Sequence, residues 1–195
     1  MEKEKSFDSS LSVCTKDYKY SKGGESMGEI SSKRDFRVLL AQSTITEKFP
    51  YLLDHKDFDP ATNSKMWTSK DSEYSVYVTA QDGLDEAMIR GDNLICVASE
   101  LVDIPSHAYK CVVDPHMPYT ERQLSCVSDV IDSLLEWSNV TVYCAMGMER
   151  SPLAVMFWLS KRFGYIFNSI NYDILRNERP IIVDRRSYLE ESKGV

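Results

Sequence analysis

A regular alternation of predicted strands and helices runs from residue 74 to residue 163, and it restricts the fold more than any other feature of the chain. Short β-branched and aromatic segments alternate with segments whose apolar residues recur at helical spacing. A strand reaches a parallel neighbour only through a crossover, so this order predicts an α/β fold with a mostly parallel central sheet flanked by helices. The segments are the strand YSVYVTA, the helix GLDEAMI, the strands NLICVAS and YKCVV, a helix after Thr120, the strand VTVYC and a helix from Ser151 to Phe163.

The clearest helix start in the sequence is Thr120, which is followed three residues later by Gln123. This Thr-x-x-Gln pattern predicts a capping box, in which each of the two side chains bonds a backbone N–H of the first turn. One face of the helix is expected to be buried, because apolar residues recur along it at helical spacing. Gly164 is expected to end the next helix. The residues of the buried face are Leu124, Val127, Ile131, Leu134 and Leu135.

Changes in composition divide the chain into three parts. Residues 1–34 are rich in Ser, Lys, Glu and Gly without an apolar period, which predicts a disordered tail. Residues 35–71 contain the apolar islands FRVLLAQ and FPYLLD and the loop-like DFDPATNS, and we expect them to form an ordered lead-in that packs on the domain. Residues 72–195 carry the regular pattern and are predicted to be the main domain.

The charge and the cysteines limit the kinds of ligand that the chain can hold. A formal net charge of -7 and a pI near 5.0 argue against binding nucleic acid by bulk charge, so an anionic substrate must be held by local groups. Five cysteines, an odd number without Cys-x-x-Cys spacing, indicate neither a disulfide framework nor a zinc site. The three histidines are too far apart for metal ligands and are expected on the surface or in loops. We therefore expect no metal and no cofactor.

Two further features concern the compartment. The longest apolar stretch, around Leu153 to Leu159, is far shorter than a bilayer span. The start MEKEKSFDSS lacks the apolar segment of a secretory signal. These features predict a cytoplasmic protein without a membrane partner, and they leave entry into the nucleus open.

The stretch VYCAMGMERSPLAVMFWL places Cys144 at the end of a predicted strand and Arg150 six residues later, at the start of a helix. A loop between a buried strand and a helix N-terminus directs several backbone N–H groups at one point, and the helix dipole attracts anions there. The same donors and Arg150 would stabilise a thiolate, and the planar Arg150 fork can hold two oxygens of a phosphoryl group. Gly147 permits the turn, and Ser151 brings a hydroxyl near the sulfur. The loop is therefore predicted to bind phosphate beside a nucleophile.

The stretch CAMGMERS resembles the Cys-x5-Arg-Ser/Thr phosphate loop of cysteine-dependent protein phosphatases. The order of the surrounding segments resembles the dual-specificity branch of that family over roughly residues 72–191. The resemblance implies a cysteinyl-phosphate mechanism without a metal, and it makes residues 72–195 a phosphatase domain. The implied catalytic residues are Cys144, Arg150, Asp114 and Ser151, and the implied substrate-binding residues are Ala145, Met146, Gly147, Met148, Glu149 and Arg150.

The general acid is implied by the position of an aspartate. In the dual-specificity branch this residue typically lies on a loop about thirty residues before the cysteine. In CVVDPHMPYTERQ, Asp114 lies 30 residues before Cys144. The competing interpretation is a loop carboxylate without a catalytic role, and Asp103, 41 residues before the cysteine, is the weaker rival.

Two residues depart from the family pattern. Tyr143 replaces the histidine that usually precedes the cysteine, which removes an imidazole that helps to order the loop. Glu149 places a carboxylate directly before Arg150, and this Glu-Arg pair resembles the end of the loop in rhodanese-like cell-cycle phosphatases. Its carboxylate either opposes the thiolate and the phosphate or points away from the loop and pairs with a cation. We expect the second orientation, because side chains of such loops splay outward while the amides converge.

The other cysteines have a simpler interpretation. Cys96, Cys111 and Cys126 are predicted to be core cysteines rather than redox partners of Cys144. A cysteine on a neighbouring strand would still come close enough to Cys144 for a protective disulfide.

The predicted function is a protein phosphatase that acts on phosphotyrosine and on phosphoserine or phosphothreonine. No segment resembles the tyrosine-bearing recognition loop that deepens the pocket of tyrosine-only enzymes. One alternative is a catalytically weak phosphate-binding module that captures phosphoproteins. Another is a phosphatase for RNA 5′ ends or phosphoinositides, which usually needs extra cations near the loop, and Ala145, Met146 and Met148 supply none. The sequence gives no expectation for the oligomeric state.

Overall fold

The computed structural model describes residues 32–113, 120–164 and 169–186. Helices flank a central five-stranded sheet, which confirms the predicted α/β class. The strands are β1 (Ser64–Thr68), β2 (Ser75–Ala80), β3 (Asn93–Ala98), β4 (Tyr109–Val113) and β5 (Val140–Cys144). The α-helices are α1 (Ser32–Ala41), α2 (Ser43–Lys48), α3 (Leu84–Arg90), α4 (Glu121–Leu134), α5 (Arg150–Phe163) and α6 (Ser169–Glu178), and 3-10 helices span Pro50–His55 and Gln81–Gly83.

The sheet has the strand order β1-β2-β5-β3-β4. Among the described strands, β1 and β2 pair in the antiparallel direction, and the pairings β2–β5, β5–β3 and β3–β4 are parallel. The central strand β5 is bonded on both edges, since Val140 is in register with Val76 of β2 and with Asn93 of β3. All five of its residues are buried. A continuous run of buried residues is typical of a parallel strand that is covered on both faces.

The predicted capping box is present at the start of α4. The Thr120 hydroxyl accepts a bond from the Gln123 backbone N–H, and the Gln123 side chain accepts one from the Thr120 N–H. The predicted apolar face is buried, whereas Cys126 of the same helix is exposed. The prediction of Cys126 as a core cysteine is therefore wrong, because steps of 100° turn it away from the buried residues Leu124 and Val127. Gly164 ends α5 in the left-handed conformation, as predicted.

The N-terminal segment is part of the folded unit. Helix α1 begins at Ser32, so the predicted boundary between residues 34 and 35 falls inside a helix. Strand β1 lies within the predicted lead-in and pairs with β2, so the sheet begins before residue 72. Residues 1–31 and 187–195, on which parts of the predicted tail and of the closing segment fall, lie outside the described residues.

Two apolar clusters hold these elements together. The larger cluster fills the space between the sheet and the helices and contains Trp158 and Leu153 of α5. The second, which we call the lead-in cluster, joins the N-terminal segment to the loop after β5 and to the segment after α6. Its buried members are Phe36, Leu40, Leu52, Met148, Ile181 and Val183. None of the helices in the described part of the chain is long and apolar enough to cross a membrane.

Candidate active site

The loop that follows the central strand runs from residue 145 to residue 149, and α5 begins at Arg150. Backbone bonds fix both of its ends. The Gln81 N–H donates to the Ala145 carbonyl (3.3 Å), and the Val183 N–H donates to the Met148 carbonyl (2.9 Å). Because β5 is flanked by parallel strands, the loop leaves the middle of the carboxyl edge of the sheet. Binding sites of open α/β sheets lie at this edge.

Cys144 and Ser151 meet at the two ends of the loop. Cys144 is the last residue of β5, Ser151 lies in the first turn of α5, and their Sγ and Oγ atoms are 3.3 Å apart. Both side chains are buried. At this distance one of the two groups can donate a hydrogen bond to the other.

Gly147 is required by the loop for two reasons. Its φ of +61° lies in the left-handed region, which other residues adopt at a cost. A Cβ at this position would lie 2.5 Å from Nη2 of Arg179 and 2.7 Å from the carbonyl of Thr79. The backbone of the loop thus turns sharply while it packs directly on Arg179.

Arg179 is fully buried beneath the loop and is held by backbone carbonyls. Its Nε donates to the Gly147 carbonyl (2.7 Å), and its Nη2 donates to the carbonyls of Met146 (3.2 Å) and Pro60 (2.7 Å). Burial lowers the pKa of Arg179 to about 10, so the side chain still carries its charge at neutral pH. In a planar trans peptide the carbonyl and the next N–H point in opposite directions. Carbonyls drawn toward Arg179 therefore turn the N–H groups of Gly147 and Met148 away from it.

Arg150 makes a two-point ion pair with Glu100. Its Nη1 donates to Oε2 of Glu100 (2.5 Å), and its Nη2 donates to Oε1. Glu100 lies just beyond the end of β3, with its side chain 42% exposed, whereas the Arg150 side chain is nearly buried. Two parallel bonds fix the plane of the guanidinium as well as its position. Glu100 therefore fixes the orientation of the Arg150 guanidinium beside the loop.

Glu149 points toward a different cation. Its Oε1 accepts a hydrogen bond from Nη2 of Arg185 (2.7 Å), and both side chains are partly exposed. This pairing agrees with the expectation that the Glu149 carboxylate braces a neighbouring cation. Its charge is offset by Arg185 before it can act on Cys144.

The methionine side chains of the loop hold it in place through apolar packing. Met148 is buried in the lead-in cluster, and the partly buried Met146 packs against the same cluster. Ala145 instead packs against the larger cluster. The side chains of the loop thus anchor it, which leaves its backbone N–H groups as the groups suited to an anion.

Tyr143 is buried inside the sheet next to the nucleophile position. It is in register with Cys96 of β3, and burial followed by the nearby Cys96 thiol raises the pKa of the Tyr143 hydroxyl. Cys96 is fully buried, as predicted, and its thiol donates to the Ala98 carbonyl (3.5 Å). Burial raises the pKa of Cys96, so this thiol is a poor nucleophile.

Of the two candidate acids, the structure describes Asp103 but not Asp114. Asp114 lies outside the described residues, although β4 ends at Val113, directly before it. Because β4 runs parallel to β3, its carboxyl end lies at the same edge of the sheet as Cys144. The rival Asp103 is exposed, and its backbone carbonyl accepts a bond from the Gln81 side chain (3.3 Å).

Sequence reasoning missed Glu100 and Arg179. Glu100 is one acidic residue among many near a strand end, and nothing in its surroundings in the sequence marks it. The position of Arg179, a charged residue directly before the apolar run PIIV, does suggest that it is buried. Its role cannot be predicted from this, because it depends on carbonyls that lie far away in the sequence. Neither contact is local, and no residue spacing predicts it.

Comparison with known proteins extends the fold assignment. No protein-family model matches the sequence, and no curated protein sequence does. Solved structures do match. Tk-PTP in its active form has a TM-score of 0.51 and 17% identity, over 67% of this chain and 94% of that one. The fold is that of a dual-specificity phosphatase.

Two other solved structures have the same fold. The human tyrosine phosphatase-like serine/threonine/tyrosine-interacting protein matches with a TM-score of 0.50 and 16% identity, over 60% of this chain and 88% of that one. A variant of human DUSP28 matches with a TM-score of 0.50 and 13% identity, over 68% of this chain and 97% of that one. At these identities the likeness concerns the fold alone.

Proposed function

We propose that this chain is a cysteine-dependent protein phosphatase of the dual-specificity type, which hydrolyses phosphate monoesters through a cysteinyl-phosphate intermediate. The observation that carries this proposal is the loop between β5 and α5. It brings the Cys144 thiol within 3.3 Å of the Ser151 hydroxyl, turns at Gly147 and ends at Arg150, at a helix N-terminus. A nucleophile, amide donors and a planar cation around one point are the groups that phosphoryl transfer requires.

In the first step the Cys144 thiolate attacks phosphorus in line with the leaving oxygen. The new S–P bond forms as the P–O ester bond breaks, and Asp114 gives its proton to the leaving oxygen. Arg150 and the amides of residues 145–150 hold the equatorial oxygens, where negative charge is concentrated in the transition state. Arg179 keeps these amides directed at the phosphate by holding the carbonyls on the other side of the loop.

In the second step water attacks the phosphorus of the cysteinyl phosphate. The Asp114 carboxylate takes a proton from this water, the S–P bond breaks, and inorganic phosphate leaves. The departing sulfur becomes a thiolate again, and the Ser151 hydroxyl donates a hydrogen bond to it. Cys144 ends as a thiolate and Asp114 as a carboxylic acid, which are their starting states, so the proposed cycle needs no cofactor.

The charges near the loop favour a protein substrate with an isolated phosphate. Arg150 is paired with Glu100, Arg185 is paired with Glu149, and Arg179 is buried under the backbone. Polyanions such as phosphoinositides and RNA 5′ ends need several cations around the scissile phosphate. We therefore place phosphotyrosine and phosphoserine or phosphothreonine proteins ahead of those substrates.

The decisive experiment replaces the nucleophile. We expect the full chain to hydrolyse p-nitrophenyl phosphate and Cys144→Ser to have no measurable turnover, because a serine hydroxyl in this loop lacks the nucleophilicity of a thiolate. Cys144→Ser should still bind tungstate by calorimetry, since the amides and Arg150 remain. Cys126→Ser, which changes an exposed thiol elsewhere, is the matched control and should retain full activity. Appreciable turnover by Cys144→Ser would exclude the mechanism.

The acid has its own test. Asp114→Asn cannot donate a proton, so we expect it to slow the hydrolysis of alkyl phosphates far more than that of aryl phosphates with good leaving groups. General acid catalysis typically contributes about 10²–10⁴-fold, and kcat for the two substrate classes measures it. Asp103→Asn serves as the control. Equal losses for both substrate classes in Asp114→Asn would point to another acid.

A second candidate is a phosphate-binding module with little turnover. The ion pair between Arg150 and Glu100 favours this second candidate. A phosphate would have to share Arg150 with the Glu100 carboxylate, or displace that carboxylate, which is already bonded to Arg150 at two points. This candidate predicts tight tungstate or phosphopeptide binding by the unchanged chain without hydrolysis of p-nitrophenyl phosphate. The same two measurements therefore separate the candidates.

A further inference from the structure

An exposed valine lies at the same edge of the sheet as the proposed active site. Val102 follows β3, and its side chain is 83% exposed. Because β3 and β5 are parallel, the segment after β3 leaves the sheet at the edge where the loop after β5 begins. In the described part of the chain, Ile89 and Trp137 are exposed to a similar degree, but they lie a few residues before β3 and β5, at the opposite edge.

The backbone on both sides of Val102 is held in place. The Leu101 carbonyl accepts a hydrogen bond from Nζ of Lys110 (3.2 Å), and the Leu101 side chain is buried in the larger apolar cluster. The Asp103 carbonyl accepts a hydrogen bond from Nε2 of Gln81 (3.3 Å). The valine therefore projects from a segment whose backbone is bonded to two other elements of the fold.

Two contacts join this segment to the loop after β5. Glu100 bonds Arg150 at two points, and the backbone N–H of Gln81, whose side chain holds the segment, donates to the Ala145 carbonyl (3.3 Å). Consecutive Cα atoms are about 3.8 Å apart, so the Cα of Val102 lies no more than about 7.6 Å from that of Glu100. A substrate whose phosphate meets Arg150 would therefore bring its neighbouring residues next to Val102.

We propose that Val102 is a specificity-determining residue, which contacts the side chain next to the phosphorylated residue and selects phosphoproteins with an apolar residue there. This inference rests on the proposed function, because a phosphate in the loop fixes where the substrate lies. Covering an exposed valine with an apolar side chain is favourable, whereas a polar side chain loses hydration at the same place. Since the backbone around Val102 is already fixed, little conformational freedom of the protein is lost on binding.

The experiment compares two phosphotyrosine peptides that differ only in the residues on both sides of the phosphotyrosine, which are leucine in one peptide and serine in the other. Both residues are uncharged, so the nearby Asp103 does not distinguish the peptides by charge. Binding is measured by calorimetry with the full chain carrying Cys144→Ser, which is expected to bind without turnover. We expect the leucine peptide to bind about three- to tenfold more tightly, because part of each apolar side chain leaves water.

Three further changes in this chain assign the preference to the valine. Val102→Ser should bring the two affinities to within about twofold of each other, whereas Val102→Ile should keep the preference because an apolar side chain remains. Ile89→Ser is the matched control, since it changes a side chain that is 87% exposed at the opposite edge of the sheet, and it should also keep the preference. A general loss of folded protein affects both peptides alike and leaves the ratio of their affinities unchanged.

The inference is overturned if the Cys144→Ser chain binds the two peptides equally or binds neither, or if Val102→Ser keeps the preference. The same preference between the unphosphorylated peptides would also overturn it, because the contact would then not depend on the loop. Turnover of p-nitrophenyl phosphate, which has no flanking residue, tests the proposed function separately. Turnover without a preference for leucine would retain the phosphatase and remove the role of Val102, and a preference without turnover would retain Val102 beside a phosphate-binding site.

Discussion

Arg179 is a buried cation that acts through backbone carbonyls. Its guanidinium bonds the carbonyls of Met146 and Gly147 in the loop, and those of Pro60 and Thr62 in the N-terminal segment. Carbonyls that lose a buried donor are left unpaired, which costs about 1–3 kcal/mol each when water cannot replace it. The residue thus couples the stability of the fold to the direction of the loop amides.

We predict that Arg179→Met lowers both stability and anion binding. The free energy of unfolding should fall, because each buried carbonyl that loses its Arg179 donor costs about 1–3 kcal/mol. In the Cys144→Ser background, tungstate affinity should fall at least tenfold in molecules that remain folded. The control is Arg37→Met, which removes an exposed ion pair with Asp57 and should change neither quantity measurably. A folded Arg179→Met chain with unchanged tungstate affinity would remove Arg179 from the positioning of the loop.

The two glutamates near Arg150 make a matched pair for a second prediction. Glu100→Gln removes a charge bonded to Arg150, so phosphate should inhibit several-fold more strongly, in line with about one kcal/mol of charge repulsion.

Glu149→Gln removes a charge already offset by Arg185, and we expect the pH midpoint of Cys144 alkylation by iodoacetate to stay unchanged. A midpoint lower by a full pH unit in Glu149→Gln would contradict the outward orientation of its carboxylate.

At the scale of elements, α1 packs in the same buried cluster as the loop after β5. Phe36 of this helix is fully buried in the lead-in cluster, where Met148 of the loop is also buried. The 3-10 helix Pro50–His55 adds Leu52 to the cluster, and the Tyr51 hydroxyl donates to the Ile182 carbonyl (2.6 Å). The N-terminal segment and the segment after α6 therefore fix the same side of the loop.

We predict that Phe36→Ala weakens the loop as well as the fold. Removing a buried phenyl ring typically costs about 3–5 kcal/mol of unfolding free energy, and the cavity would lie in the cluster that holds Met148. We expect kcat/KM for p-nitrophenyl phosphate to fall along with stability. Val38→Ala changes the same helix at a side chain that is 57% exposed, and it should stay within about 0.5 kcal/mol with unchanged kinetics. If chemical denaturation gave equal losses of unfolding free energy for the two variants, burial of Phe36 in the lead-in cluster would not be stabilising.

The elements that the sequence predicts correctly are those with local signals. Thr120 and Gln123 mark the start of α4 because a capping box lies within one turn, and Gly164 marks the end of α5 through its own backbone conformation. The sequence does not predict helix α1, because FRVLLAQ is too short to show a helical period and the burial of Phe36 and Leu40 depends on Met148, Ile181 and Val183, more than a hundred positions away.

The candidate site divides in the same way. Cys144, Gly147 and Ser151 lie within eight consecutive residues, and the structure brings the cysteine and the serine together as the spacing predicts. The partners of Arg150 and Arg179 come from other elements of the sheet and from the N-terminal segment. Local chemistry is thus visible in the sequence, whereas the contacts that orient it arise only from the tertiary fold.

At the scale of the whole molecule, the net negative charge disfavours the binding of an anion at the candidate site. The net charge of -7 repels anions that approach the surface, and at physiological salt this repulsion is largely screened beyond about 8 Å. Near the loop the cations Arg150 and Arg185 are already paired with carboxylates. In the proposed phosphatase, attraction of a phosphate would therefore depend on the loop amides and on Arg150 at short range, and we expect substrates whose flanking residues are basic or neutral.

The bond between the Val183 N–H and the Met148 carbonyl bears on when, during synthesis, the loop after β5 can reach its folded conformation. A nascent chain that has left the ribosome only as far as Phe163 contains the cysteine and the arginine of the proposed site. It lacks Arg179, Ile181 and Val183, which hold the loop from beneath and behind. The thiol is therefore translated well before the residues that hold the loop, and the loop reaches its final conformation only after Val183 has been translated.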